Sequence, residues 1–317
     1  MQYRPEMIAR FWEYKQRAFA KRPKLFDSEA PSDSRPPVFL PEFAHLNILT
    51  CPGCSEAECE AVYKSLPVRE RHRWFRSMTS SQALAASVFG NLKVLGALGQ
   101  LEGLADDNGL PVFGKCPLNQ ASLEYDVTYL GEPRSTSIDV LLGGACPVMV
   151  ECKLTEPEVG TCSRPLLKPS DPSYDRDLCD GTYRIQQNRH ERCPLTSLGV
   201  LYWRYVPFLF KWKNDADLKP CPLNRNYQLV RNVLAAKVTP SGEVRGDAEG
   251  HALLVYDERN PAFQRGGEGR NAFEETRFAL KQPNDLRKCS WQRLVGHLRQ
   301  QHVLGWLTDQ LETKYGF

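Results

Sequence analysis

Apolar residues recur at helical spacing over residues 3–22, where Ile8, Phe11, Trp12 and Phe19 mark one face of a basic helix. A Pro- and Ser-rich connector follows over 27–41. Ser55 with Glu58 forms a capping-box signal for a helix running to Leu66, and Pro67 ends it. Ser80-Ser81 cap a longer helical pattern from Gln82 through Leu92, predicted to continue to about Leu104, before an Asp- and Gly-containing loop over 105–109. Three short strands are then predicted, over 122–129, 137–142 and 148–153, with Gly143-Gly144 in the turn between the last two. Residues 155–219 are loop-rich, although 199–205 and 208–210 are aromatic enough to be core. A helix over 227–236, a strand over 251–257, a Gly/Arg-rich loop over 265–270 and helices over 272–280 and 291–314 complete the pattern.

The chemistry concentrates on the second and third predicted strands. Ser137-Ile138-Asp139-Val140 carries a carboxylate into an apolar run, and Val148-Met149-Val150-Glu151-Cys152-Lys153 closes another with a Glu-x-Lys triplet. Side chains alternate along a strand, so Glu151 and Lys153 share one face and Cys152 takes the other. Two carboxylates can hold Mg²⁺, a hard cation that prefers oxygen. An adjacent ammonium can orient, or help deprotonate, a water aimed at a phosphodiester. An ion-paired surface hairpin would give the same letters, but unpaired charge at the end of a buried strand is costly.

Asp139 and Glu151-Cys152-Lys153 resemble the acidic first motif and the E-x-K second motif of the PD-(D/E)XK nuclease superfamily. The helix-then-three-strand order resembles the αβββ opening of its core. The segments Ser80–Leu92, CPLNRNYQLVRN and SWQRLVGHLR…KYGF resemble a bacterial restriction-endonuclease-like branch. The resemblance implies an α/β (α+β) fold, a restriction-endonuclease-like core with a central mixed sheet flanked by helices. It implies DNA as partner and Mg²⁺ as cofactor, with Mn²⁺ as a substitute, held by Asp139 and Glu151. Gln228 matches a glutamine that RecB-like relatives carry beside the metal; an amide there can hold a phosphate or the attacking water without adding charge. Arg231, one turn on, and Gln82 are read as nucleic-acid contacts. The superfamily's first helix often supplies a further glutamate, for which Gln82, Glu102 and Glu124 are the places to look.

Composition adds limits. With 317 residues, 41% hydrophobic and 25% charged, the chain is long enough for one elaborated core. The division expected is an N-terminal helical extension with its connector over 1–66 and a nuclease domain over 67–317, carrying an insertion over about 155–222. Net charge is only +3, so DNA contact must come from local patches such as Arg69–Arg76. No apolar stretch reaches membrane-spanning length, and the first residues lack the apolar core of a signal peptide, so the expectation is a cytoplasmic protein; a homodimer is one assembly open to it. The eleven cysteines should then be thiols or metal ligands rather than disulfides. Cys162, Cys179, Cys193 and Cys221 all lie in the insertion, and four thiolates suffice for zinc or an iron–sulfur cluster; buried loop thiols are the other reading. Cys51-Pro52-Gly53-Cys54 with Cys59 resembles half a zinc knuckle that His45 or His72 would complete, or else a turn before a helix. The function expected is metal-dependent hydrolysis of DNA, of restriction or defence type. A non-cutting nucleic-acid-binding module and a metal-binding scaffold are the competing classes.

Overall fold

A computed structural model of the chain describes residues 3–27, 31, 34–106, 109–114, 117–133, 136–143, 146–186, 188–212, 220–246 and 250–317. Gly144, parts of the 27–41 connector and of the 105–109 loop, and residues 213–219 lie outside that set. The centre is a five-stranded mixed sheet in the order β1 (Ala121–Val127), β2 (Thr136–Leu142), β3 (Val148–Cys152), β4 (His251–Tyr256) and β5 (Leu286–Ser290). β1–β2 and β2–β3 pair antiparallel, whereas β3–β4 and β4–β5 pair parallel. β3, every residue of which is buried, lies in the middle, as its unbroken apolar run requires.

The helices in chain order are α1 (Tyr3–Ala18), α2 (Glu56–Lys64), α3 (Ser81–Ala85), α4 (Asn91–Val94), α5 (Tyr174–Asp177), α6 (Pro194–Ser197), α7 (Tyr202–Leu209), α8 (Pro222–Lys237), α9 (Glu268–Ala279), α10 (Trp291–Gln300) and α11 (Gly305–Tyr315). Residues of α1, α3, α4, α10 and α11 build one hydrophobic layer against the sheet; residues of α7, α8 and α9 build the other. The mixed sheet between helical layers is the α+β restriction-endonuclease-like architecture expected. The Ser55 capping box forms as read, with its hydroxyl accepting from the Glu58 N–H.

Three expectations change. The helix predicted from 82 to 104 is broken: a π turn over Ala86–Gly90 joins α3 to α4, and left-handed Gly96 ends the helix after Val94. β5 was hidden because LRKCS is half polar; it pairs on one side only, at the sheet edge, and buries only alternate stretches of its length. The helix predicted over 291–314 splits at His302 and Leu304, both of which adopt left-handed backbone.

Trp291, at the first position of α10, is fully buried between Phe89 and Phe317, and its indole N–H donates to the Lys153 carbonyl at 3.0 Å. One side chain thus joins the helical layer to the end of β3. Trp291→Ala should cost about 3–5 kcal/mol of stability, the range for emptying a buried aromatic site. Urea unfolding followed by circular dichroism checks this, and a change under about 1 kcal/mol would show that the packing does not depend on it.

Candidate active site

Strand register assembles the acidic residues. Leu123 pairs with Val140 and Tyr125 with Ile138, so Glu124 lies across from Asp139. The β2–β3 ladder runs Leu142–Val148, Leu141–Met149, Val140–Val150; one step further sets Asp139 across from Glu151. The strand ladders break or end beside these residues, and the three carboxyl groups come near enough for Glu151 and Glu124 to act on Asp139 and for Glu151 to act on Glu124.

Simple alternation does not describe this row. Ala121 and Leu123 pack into one hydrophobic layer, while Tyr125 and Val127 pack into the other. On β2 the same exchange occurs between Ile138 and Val140. Both strands swap faces at the acidic residue. At β1 the cause is visible: Glu124 has φ +48°, a left-handed conformation that a non-glycine residue adopts at a cost of order 1–3 kcal/mol. The kink, next to a cluster of charge, is of the kind that re-aims a side chain.

Each acid has specific partners. Glu124 accepts from the Gln82 amide (2.7 Å) and the Ser137 hydroxyl (2.5 Å). Asp139 accepts from the Cys152 backbone N–H at 2.6 Å. Glu151, only 2% exposed, bonds Lys153 through one oxygen (2.9 Å); through the other it accepts from the Asn232 amide (2.9 Å), with Arg231 at 3.7 Å. The Lys153 ammonium also donates to the Gln228 amide oxygen at 3.1 Å. Gln228, Arg231 and Asn232 all project from α8, at the i, i+3 and i+4 spacing that shares a helix face. Gly160, at φ +107°, lets the loop after β3 press against the Gln228 side chain, with which a Cβ would collide.

The electrostatics follow from burial and crowding. Burial raises Asp139 well above the usual carboxyl range, and the neighbouring Glu151 and Glu124 push it further the same way. Burial likewise raises Glu124, against its two hydrogen bonds. Burial alone would depress Lys153; Glu151, Glu156 and Asp139 outweigh it and carry it above the ordinary lysine range. These carboxylates favour the ammonium form of Lys153, which suits orienting a water better than deprotonating one.

The other expected site residues sort themselves by position. Glu124, not Glu102, is the third acid of the row; Glu102 instead caps the Leu118 N–H. Gln82 spends its amide on Glu124, the Glu70 carbonyl and the His72 N–H, tying the Arg69–Arg76 turns to the acids rather than presenting itself to solvent. Arg231 is 3% exposed, not a surface contact, and its Nη2 has no hydrogen-bond partner among the described residues. Asn232 escaped sequence reading, although its spacing from Gln228 was a usable signal. Cys162, Cys179, Cys193 and Cys221 line one small cavity, and burial pushes Cys162 and Cys221 up to about 12. Cys51 and Cys54 lie in a turn before α2, as one reading had it, with their thiols hydrogen-bonded to each other. Cys146 is disulfide-bonded, against the expectation of thiols throughout. Among the described residues no group of three or more His, Cys, Asp or Glu side chains is arranged to hold a metal ion.

A family model described as "Restriction Endonuclease associating with ARP" matches residues 41–316, which include the whole sheet and every helix except α1. The chain belongs to this family. No curated protein and no solved structure gives a significant match. Family membership supports a restriction-endonuclease-like nuclease, with DNA as its substrate class. None of the described helices is long and apolar enough to cross a membrane.

A carboxyl group with a raised value keeps its proton to higher pH, and a cation must displace that proton to bind. Mn²⁺ affinity, read by calorimetry or paramagnetic relaxation, should therefore tighten by at least about tenfold between about pH 5 and pH 8, one proton per unit being tenfold. Glu124→Gln should flatten that slope. Affinity independent of pH would mean that the raised carboxyl groups are not the ligands.

Proposed function

We propose that this protein is a Mg²⁺-dependent endonuclease that hydrolyses DNA phosphodiester bonds with the chemistry of the PD-(D/E)XK superfamily. The observation that carries the reading is the row Glu124–Asp139–Glu151 with the Lys153 ammonium held between Glu151 and Gln228. Three hard oxygen donors, two of them raised by burial and further by their acidic neighbours, suit a divalent cation that would relieve the crowding. Asp139 and Glu151 would hold it, with Glu124 beside them. When bound, the cation supplies charge for the developing phosphorane and lowers the pKa of a coordinated water.

The chain's own residues do the rest. Lys153 stays charged and offers a donor to the attacking water and to the phosphoryl oxygens. Gln228 fixes the lysine's direction. Arg231, buried with one guanidinium nitrogen 3.7 Å from Glu151, supports that carboxylate from behind. On the rim, Arg69, Arg73 and Trp74 are exposed on the turns that Gln82 ties to Glu124, and Arg73 lies against the Trp74 ring. Such a cation-and-ring pair suits backbone and base contact with nucleic acid. A binding-only protein would have no use for the buried lysine and acids, which favours cutting.

Plasmid nicking across a metal titration tests this. Lys153→Ala should lower cleavage by at least about a hundredfold while leaving DNA affinity within a few-fold, because one lysine is a small part of a phosphate-contacting surface. Asp139→Ala should also abolish cutting, with partial recovery in excess Mn²⁺, since tighter-binding cations offset a lost ligand. Unchanged cleavage by Lys153→Ala would overturn the assignment.

A further inference from the structure

The insertion between β3 and α8 has few long elements, yet four of its side chains meet. Cys162, Cys179, Cys193 and Cys221, separated by up to 59 residues of sequence, line one cavity of about 10 Å³, the space of a single small atom or water. Three of them share a backbone arrangement. Each accepts a hydrogen bond from the residue two positions on: Cys162 from Arg164, Cys179 from Gly181 (N···S 3.2 Å) and Cys221 from Leu223. Tyr183 adds a hydroxyl donor to the Cys221 sulfur at 3.1 Å. Donors aimed at sulfur stabilise thiolate over thiol. Neutral buried thiols have little need of them.

We propose that these four cysteines form a structural zinc site. A tetrahedral four-thiolate site is closed and needs no water, in keeping with a cavity of atomic size lined by four cysteines from separate segments. An iron–sulfur cluster would need far more room than this cavity has. The cysteines line the cavity but are not yet arranged to hold a metal ion. Binding draws them to Zn–S distances of about 2.3 Å, and four thiol protons leave to solvent as four Zn–S bonds form. Arg164, which also lines the cavity, offsets part of the resulting negative charge.

The site's position gives it a role. Cys221 is the N-cap of α8, and its N–H bonds the Gly181 carbonyl, while the Cys162 N–H bonds the Asn224 carbonyl. The metal would thus cross-link the start of α8 to three insertion loops. Seven residues further on, after a kink at Asn226, α8 presents Gln228 to Lys153, and then Arg231 and Asn232 to Glu151. Zinc therefore sets the placement of the helix that holds the lysine and glutamate. The metal-binding claim does not depend on whether the acidic row cuts DNA.

Metal analysis by plasma mass spectrometry of the full chain, purified without chelators, decides the matter. One zinc per chain is expected in wild type and in Asp139→Asn, which leaves the insertion intact. Cys179→Ser and Cys193→Ser should fall below about a tenth of that content, whereas Cys289→Ser, a buried thiol outside the cavity, should keep it. If the cysteine variants fail to fold, the wild-type content and its thiol count remain decisive. Four thiols should be shielded from a thiol reagent until zinc is removed. No zinc in wild type after reconstitution, iron in its place, or full zinc in Cys179→Ser would each overturn the proposal.

Discussion

Buried Glu124 and Glu151 and half-buried Asp139, on adjacent strands, crowd like charges together in an interior that screens them poorly. Everything near the row is arranged around that repulsion. Lys153 and Arg231 bring positive charge to Glu151, Asn232 and Gln82 bring amide donors, Ser137 a hydroxyl, and Cys152 a backbone N–H. Even so, Asp139 and Glu124 remain raised, so the compensation is incomplete without a further positive charge. A folded protein that tolerates such residual strain has put stability second to chemistry at this point.

The scaffold answers with rigidity. The end of β3 is held by the Lys153 N–H to Val255, by the Trp291 indole to the Lys153 carbonyl, and by Asn260 and Tyr3, both of which donate to the Leu154 carbonyl. These contacts come from β4, from the loop after it, and from α1 and α10 of one helical layer. α1 reaches the site in this way, and Phe11 packs edge-on against Tyr315 of α11. The acids are presented by strands and the supporting amides by helices, so the geometry rests on the stiffest parts of the fold.

Much of this was legible in the residues. Long apolar or strongly periodic segments, β1 to β4 and α8, announced themselves, as did the capping box at Ser55 and the cap at Ser80. β5 did not, because Arg287 and Lys288 interrupt the apolar pattern of LRKCS even though Leu286, Cys289 and Ser290 are buried. The breaks at Gly96, His302 and Leu304 are local backbone choices that hydrophobic spacing cannot register. Asp139, Glu151 and Lys153 were found from their types and spacing. Glu124 was only one of three candidates, since choosing it needs the β1–β2 register and a left-handed residue. Charge state was also out of reach: whether Lys153 is a base or an ammonium depends on three carboxylates brought together by folding. Gln82 and Arg231 were placed on the right faces but given solvent-facing roles, because burial is a property of the whole molecule.

The central claim is that the acidic row is a divalent-cation centre. The most direct measurement is anomalous diffraction from crystals soaked in Mn²⁺. The account predicts a single strong peak within ~2.2 Å of carboxylate oxygens of Asp139 and Glu151, close to Glu124 and lost in Asp139→Asn. A well-diffracting crystal with Mn²⁺ bound elsewhere and none at the row would contradict it.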